Sequence, residues 1–246
     1  MLYLRRFSCL LGLLWVAQAA AADKLHLVAD AWPPFTDASM NKGGLATELV
    51  TTALARAGYA SDFEQVPWAR ALLGVNEGRY DVLVNAWYNE DRTHIGQFSG
   101  SYLQNRILFL KRKDSAIQYT GDLLALHPYP VSVVRGYAYS GVFDEDDGFQ
   151  KVPVQNFSVA VRMLAADRVK LTLEDEYVAR YQLDREAPQV RDSVEFMPEP
   201  LSLNHLHILV SLKNPDHAKI VAAFNKAIGQ MQADGTYARL LKQYGM

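Results

Sequence analysis

The 246-residue sequence contains one cysteine, Cys9. It lies inside a predicted N-terminal export signal, so the mature chain is expected to carry no thiol. Disulfides, cysteine nucleophiles and thiolate metal sites all require cysteine, and their absence is therefore predicted together. A chain exported without disulfides must be stabilised by a hydrophobic core.

The sequence also lacks a basic cluster and, after the signal, a long apolar run. Lys and Arg number 25 against 27 Asp and Glu, and nucleic-acid surfaces are typically basic, so we expect no nucleic-acid partner. A membrane helix needs about 18 apolar residues in a row, which no later stretch provides. Serine-hydrolase, zinc-protease and phosphate-loop motifs are missing too. His205 and His207 would share one face of a strand but lack a third ligand, so we predict no metal. Because none of these motifs is present, we also predict no cofactor and no catalytic residue.

Residues 1–22 have the organisation of a secretory signal peptide. Arg5 and Arg6 form the positive start, 7–16 is an apolar stretch, and 18–22 is a small-residue cleavage zone. This arrangement predicts cleavage near Ala22 and export across the inner membrane to the periplasm.

Strand and helix patterns alternate twice along the rest of the chain. Leu25, Leu27 and Ala29 alternate as in a strand, and two further strands separated by helices follow at 63–66 and 81–85. A second series has strands at 131–134, 152–154 and 171–173. The prolines near 197–200 predict a loop before a strand at 206–210, and Asn214-Pro215 predicts the start of the last long helix. Such alternation indicates an α/β protein with two parallel-sheet lobes.

Open α/β sheets bind ligands at the carboxyl ends of their strands. Trp32, Trp68 and Trp87 each follow or end a predicted strand, and aromatic walls of this kind hold a planar or apolar ligand body. The alternative is that these rings only cover the edge of the core. The pattern predicts a binding cleft between the lobes.

Arg92 follows the third strand among aromatic and acidic residues. A guanidinium there offers a planar fork to a ligand carboxylate. The alternative is an exposed ion pair with Glu90 or Asp91. Arg70 and Arg135 are candidates for a second positive group, or else surface charges.

Asp175 follows a strand of the second series and is a candidate acceptor for a ligand ammonium. Alternatively, it caps the helix that follows, where negative charge is favoured. The predicted ligand-binding residues are Trp32, Trp68, Arg70, Asn85, Trp87, Arg92, Arg135, Gly136 and Asp175.

Taken in order, several stretches resemble the family 3 solute-binding proteins of bacterial ABC transporters. They are "WPPF", "GGLATEL", "GRYDVLVNAW", "EDR", "FSGSY", "RGYAYS", "EDEYVARY" and "QMQADGTYARLLKQY". The resemblance implies two Rossmann-like α/β lobes joined by a two-strand hinge, the periplasmic-binding-protein type II arrangement. One lobe would comprise 23–110 plus 209–246 and the other 111–208. By position, Trp32 and Trp68 would be aromatic walls, Arg92 the carboxylate fork and Asp175 the ammonium acceptor.

The sequence departs from the polar amino-acid receptors of this family within the expected pocket. Their small hydroxyl residues are replaced by Asn85, Ala86 and Trp87, and Ala138 stands where a serine or threonine usually touches the ligand carboxylate. Ser101 replaces a proline of the family pattern. These changes predict an altered pocket.

The resemblance implies a periplasmic receptor, a monomer, that captures a small carboxylate-bearing solute for an inner-membrane ABC permease. Two alternatives remain at this point. One is a cyclohexadienyl-dehydratase-like enzyme on the same fold, with Glu174 or Asp175 as the acid. The other is a ligand sensor for a separate signalling protein.

Overall fold

The computed structural model describes residues 24–246. The predicted signal peptide and Cys9 lie outside the described residues. Within the described part, no helix combines the length and apolar character needed to cross a membrane.

In residues 24–246, nine strands form one mixed sheet. Eight of them have the order β2-β1-β3-β9-β5-β8-β6-β7, and the ninth, β4, pairs with β9 outside this order. Strands β1, β2 and β3 are mutually parallel, as are β6, β7 and β8. The bounds are β1 Leu25–Ala29, β2 Ser61–Gln65, β3 Val82–Trp87, β4 Gly96–Phe98, β5 Leu103–Arg112, β6 Val131–Val134, β7 Lys151–Val154, β8 Leu171–Asp175 and β9 Val194–Ser211.

Eight α-helices cover the sheet, and three short 3-10 helices lie in the connections. The α-helices are α1 Leu45–Arg56, α2 Trp68–Glu77, α3 Gly141–Asp144, α4 Phe157–Ala165, α5 Glu176–Leu183, α6 Pro188–Arg191, α7 His217–Ala233 and α8 Thr236–Gln243. The 3-10 helices are Asn41–Gly43, Glu90–Arg92 and Leu124–Leu126.

Two long antiparallel strands, β5 and β9, connect the two parallel groups. The end of β9 pairs with β3, and β5 pairs with β8. We call β1–β4 with α1, α2, α7 and α8 the first lobe, because α7 and α8 return to pack on α1. We call β6–β8 with α3–α6 the second lobe. The carboxyl ends of the parallel strands in both lobes therefore face one cleft.

Two local sequence predictions are wrong. The predicted loop at 197–200 lies inside the continuous strand β9, where Pro200 stands opposite Leu108 at irregularities in the β5–β9 register. A proline cannot donate to the ladder, and a register irregularity is where that loss is tolerated. Helix α7 begins at His217 rather than at Pro215, because Asn214 and Pro215 form the preceding turn.

The largest buried cluster extends across both lobes and includes the aromatic rings of Phe35, Tyr102 and Phe109. A second cluster packs α4 against the second lobe's strands, and a third packs α2 under β1 and β3. Every residue of β3 and of β8 is buried. This is expected for central strands covered on both faces.

Candidate functional site

Side chains from both lobes meet where the parallel strands end. Asp30 follows β1, Asn85 lies within β3, and Tyr137 follows β6. These residues line a common pocket with Trp32, Trp68, Trp87, Arg92 and Ala138. The site thus lies at the position favoured in open α/β folds.

Aromatic rings form most of the pocket wall. Trp87 packs edge-on against Trp32 at 5.4 Å and against Tyr137 at 5.7 Å between ring centroids. Tyr137 also packs edge-on against Trp68 at 5.7 Å, across the cleft. Such edge-to-face pairs are favourable beyond the apolar area they bury.

Arg92 is 7% exposed and lies at one side of these rings. Its Nη1 donates to the carbonyl of Trp87 at 3.1 Å and its Nη2 to the carbonyl of Gly136 at 2.9 Å. Its guanidinium carbon lies 5.1 Å from the centre of the Trp68 ring, a cation–π distance. Burial lowers the pKa of Arg92 to about 10, so the side chain stays charged at neutral pH. Within residues 24–246 it forms no ion pair.

Asp30 is a buried carboxyl held by donors from both lobes. Its Oδ1 accepts from Asn85 Nδ2 at 2.9 Å and its Oδ2 from the Tyr137 hydroxyl at 3.0 Å. Burial raises the pKa of Asp30 although these hydrogen bonds act in the opposite direction. Burial and the nearby Asp30 raise the pKa of Tyr137 well above its ordinary value, so this hydroxyl remains a donor.

Asp175 is completely buried and lies behind the pocket. One oxygen accepts from Asn105 Nδ2 at 3.0 Å, and the other caps α5 by accepting from the Val178 N–H at 2.9 Å. Asn105 in turn accepts from Trp87 Nε1 at 2.9 Å. Burial raises the pKa of Asp175 to about 7. The alternative prediction, that Asp175 caps the following helix, therefore describes the contact of one of its two oxygens.

Glu174 is 1% exposed and differs from Asp175 in its partners. Its Oε1 accepts from Trp32 Nε1 at 3.1 Å and from the Asp175 N–H at 2.9 Å. Its Oε2 is buried without a hydrogen-bond partner among the described residues. Burial, followed by the neighbouring Asp175 and Asp30, raises the pKa of Glu174 to about 8.

Among the described residues, four hydrogen bonds near the pocket join the two lobes directly, three of them already described. Trp32 donates to Glu174, Tyr137 donates to Asp30, and both Trp68 and Arg92 donate to the carbonyl of Gly136. The space left in the aromatic pocket is about 20 Å³, which is room for about one water molecule. The lobes are therefore closed on each other, and a larger molecule enters this pocket only when they separate.

The structure brings together most of the predicted site residues. Trp32, Trp68, Asn85, Trp87 and Arg92 line the pocket, and the Gly136 carbonyl contacts two of them. The remaining three are placed differently, since Arg70 and Arg135 are exposed and Asp175 is buried behind the pocket.

Sequence reasoning missed Asp30, Asn105 and Tyr137. Asp30 directly follows a strand, which is a positional signal like that of Trp32. Asn105 shares the inward-facing phase of β5 with Ile107 and Phe109, and a polar residue in an apolar phase is a usable signal. Tyr137 lies in the "RGYAY" turn, directly after the two predicted residues Arg135 and Gly136.

The lobes, their paired connecting strands and the cleft define a two-lobed α/β binding protein. Residues 26–246 match the family described as bacterial extracellular solute-binding proteins, family 3, and the chain belongs to this family. The sequence is 25% identical over 218 residues to the L-cystine-binding protein TcyA of Bacillus subtilis (strain 168), covering 87% of this chain and 77% of TcyA. It is 29% identical over 148 residues to the lysine/arginine/ornithine-binding periplasmic protein of Escherichia coli (strain K12), covering 54% and 51% respectively.

Two solved structures show the same fold. A histidine kinase sensor domain with similarity to periplasmic binding proteins has a TM-score of 0.78 at 17% identity, covering 90% of this chain and 96% of that one. An arginine transport-system periplasmic binding protein from Legionella pneumophila has a TM-score of 0.75 at 22% identity, covering 90% and 99%. The predicted family and the predicted two-lobed α/β fold are confirmed.

Proposed function

We propose that the protein is a periplasmic receptor that captures a small carboxylate-bearing solute in its interlobe cleft. The solute class is an amino acid or a related organic acid. The receptor, acting as a monomer, delivers it to an inner-membrane ABC permease. The pocket residues of this proposal are the six predicted residues that meet there, with Asp30 and Tyr137 added; they are Trp32, Trp68, Asn85, Trp87, Arg92, Gly136, Asp30 and Tyr137.

The assignment of a carboxylate ligand rests on the burial and the contacts of Arg92. Its guanidinium is buried and charged, and its hydrogen bonds go to two carbonyl oxygens, with no ion pair among residues 24–246. Burying a charge is costly unless it is paired. A solute carboxylate at this position would take the place of the Gly136 carbonyl and accept two parallel N–H donors.

Family membership supports capture rather than catalysis. Both curated relatives are named as binding proteins, for cystine in one case and for lysine, arginine and ornithine in the other. Each of these solutes has a carboxylate and an ammonium. We infer that the solute bound by this chain also has a carboxylate, and experiment must identify the solute.

The closed lobes suggest how capture proceeds. Opening about β5 and β9 separates Arg92 and Trp68 from Gly136, which exposes the pocket to solvent. A bound solute then replaces the direct contacts between the lobes, and closure presents both lobe surfaces to the permease. A solute shifts this equilibrium only by its preference for the closed form.

A thermal-shift screen of the purified protein tests the proposal. The compounds are amino acids, dicarboxylates, aromatic acids, polyamines and small peptides. A ligand at one hundred times its Kd adds about 2.7 kcal/mol of stability, a shift of several degrees. We expect hits among carboxylates, whereas hits confined to compounds without a carboxylate would contradict the Arg92 assignment. Pull-down from a membrane fraction then distinguishes a permease from a receptor kinase, the partner expected for a sensor.

The enzyme alternative is favoured by the environment of Glu174. Its pKa of about 8 suits a general acid, and it lies in an aromatic cleft. A dehydratase of this kind would act on prephenate, which carries two carboxylates. Arg92 is the one positive side chain that lines the aromatic pocket among the described residues, which leaves the second carboxylate of such a dianion without a positive partner. Incubation with prephenate, followed by the ultraviolet spectrum of an aromatic product, tests this alternative directly.

A further inference from the structure

Glu174 has a buried oxygen for which the closed structure provides no partner. Its Oε1 already accepts two N–H groups, from Trp32 and from the backbone of Asp175. Its Oε2 has none among the described residues. A buried polar atom without a partner destabilises the fold, and more so if it is charged. An oxygen in a binding cleft that carries this penalty is a candidate for ligand contact.

Glu174 lines a second pocket, of about 260 Å³, next to the aromatic one. The two pockets share Asp30, Trp32, Trp68 and Tyr137. Arg92 lines only the first pocket and Glu174 only the second. The guanidinium and the carboxyl therefore line two different pockets that share one aromatic cluster, an arrangement suited to an elongated molecule held by its two ends.

The second pocket contains hydrogen-bonding groups but no positive side chain among the described residues. Its remaining polar wall consists of the carboxamides Gln65, Gln155, Asn156 and Gln182. Asp30 and Asp175 add two further buried carboxyls beside Glu174. Burial raises the pKa of all three carboxyls. An anionic group would find no positive partner among the described residues of this pocket, whereas a cationic group would favour the ionised carboxyls and be stabilised by them.

We propose that Glu174 is a specificity-determining residue whose Oε2 accepts a hydrogen bond from a positively charged nitrogen at the far end of the solute. The inference rests on the proposed function, because it assumes that the solute carboxylate is held by Arg92. The substrate class becomes an elongated carboxylate with an ammonium or guanidinium at its other end. The aromatic rings contact the aliphatic part between the two charges, and they also favour a cation.

Matched pairs of probes test this assignment by isothermal titration calorimetry. The pairs are L-arginine with L-citrulline, L-lysine with L-norleucine, and 6-aminohexanoate with hexanoate. Both members of each pair keep the carboxylate, and only one keeps the distal positive charge. We expect the best-bound pair to show about thirtyfold or more preference for the charged member, the typical loss when one partner of a buried charge pair is removed.

Glu174→Gln should abolish this preference while leaving the affinity for the uncharged member within about threefold. Glutamine has nearly the shape of the protonated carboxyl, so the variant is expected to fold, with its thermal midpoint as the check. Glu176→Gln is the matched control, because Glu176 is two residues away and forms ion pairs with Arg106 and Arg180 outside this pocket. The control should keep the full preference.

Proton release on binding gives a second, independent measurement. Four titratable groups surround Glu174, namely Asp30, Asp175, Tyr137 and Tyr139. The tyrosines remain protonated at pH 7 because burial raises the pKa of each well above 10. A cationic probe that pairs with Glu174 must displace its proton, so the binding enthalpy at pH 7 should differ between phosphate and Tris buffers. That difference should shrink in Glu174→Gln.

The outcomes separate this inference from the proposed function. If uncharged members bind as tightly as charged ones, or if Glu174→Gln keeps the preference, the assignment of Glu174 is wrong. Provided that Arg92→Ala still abolishes binding of those uncharged members, the carboxylate receptor stands. If neither member of any pair binds and the wider screen gives no carboxylate hit, both proposals fail.

Discussion

The two ends of the cleft hold buried charge in opposite ways. At one end, Arg92 is kept charged and is held by two neutral carbonyls. At the other end, burial is the main cause that raises the pKa of Glu174 to about 8 and that of Asp175 to about 7, with smaller contributions from neighbouring acids. The difference follows from chemistry, since a guanidinium cannot shed its proton near neutral pH and a carboxyl is easily neutralised. One end is a fixed cation, and the other is a set of acids that become charged when a cation approaches.

Of the changes that test this comparison, substitution of Arg92 is expected to have the largest effect, which is on the affinity for the solute. Arg92→Ala should weaken binding of the carboxylate solute by about 2–5 kcal/mol, because the carboxylate would be buried without its partner. Arg92→Lys should recover only part of the loss, since an ammonium lacks the planar fork. Calorimetry with the first solute identified by the screen measures both. Arg79→Ala, at an exposed arginine, is the control, and an affinity for Arg92→Ala within twofold of the wild type would contradict the role of Arg92.

Asn105 links the two ends through Trp87 and Asp175, so its removal should reduce stability. Asn105→Ala leaves the Trp87 N–H and one Asp175 oxygen buried without partners. We expect a loss of about 1–3 kcal/mol in the free energy of unfolding, measured by urea titration. Asn76→Ala, at an exposed position of α2, should cost nothing measurable. A cost below about 0.5 kcal/mol for Asn105→Ala would contradict the proposed network.

The raised pKa values of Glu174 and Asp175 predict how the free energy of unfolding depends on pH. The ordinary pKa of a glutamate is 4.5 and that of an aspartate 3.8, against about 8 for Glu174 and about 7 for Asp175 in the folded protein. Because each carboxyl binds its proton more tightly when folded, its contribution is complete at low pH and is lost as pH rises through these values. The slope is at most about 1.4 kcal/mol per pH unit for each group.

We therefore expect the stability of the solute-free protein to fall between about pH 5 and pH 8, as measured by urea unfolding in steps of half a pH unit. Below this range, exposed carboxyls with a lowered pKa, such as Asp234, act in the opposite direction. Glu174→Gln should flatten the slope between pH 6 and pH 8. A wild-type stability that rises steadily across this window would show that these acids are ionised in the closed form.

The smallest effects are expected for Arg70 and Arg135, which are exposed and lie outside the pocket of Arg92. As charges at the edge of the cleft, they would act mainly on the rate at which an anionic group approaches. Each alanine variant should change affinity by less than about 1 kcal/mol and should lose its effect at high salt. Stopped-flow association at low and high salt is the measurement. A salt-independent tenfold loss would indicate direct contact.

Several parts of the cleft were predictable because they depend on local pattern. The tryptophans and Arg92 stand at or near strand ends, and parallel strands bring their carboxyl ends to one edge. Glu174 was identified only as a candidate acid, because the sequence does not reveal that one of its oxygens has no partner. Asn105 was missed because its importance depends on Asp175, which lies 70 residues away along the chain.

The sequence by itself determined the alternation of strands and helices, the two-lobed fold class and the family resemblance. These depend on hydrophobic period, turn residues and motif order, which are properties of neighbouring positions. Only the tertiary structure decided that Arg92 is held by carbonyls, that Asp175 lies behind the pocket, and that Glu174 has an unpartnered oxygen. Burial and hydrogen-bond partners arise from residues distant in sequence, and it is burial that makes an unpaired charge or polar atom costly enough to indicate a binding site.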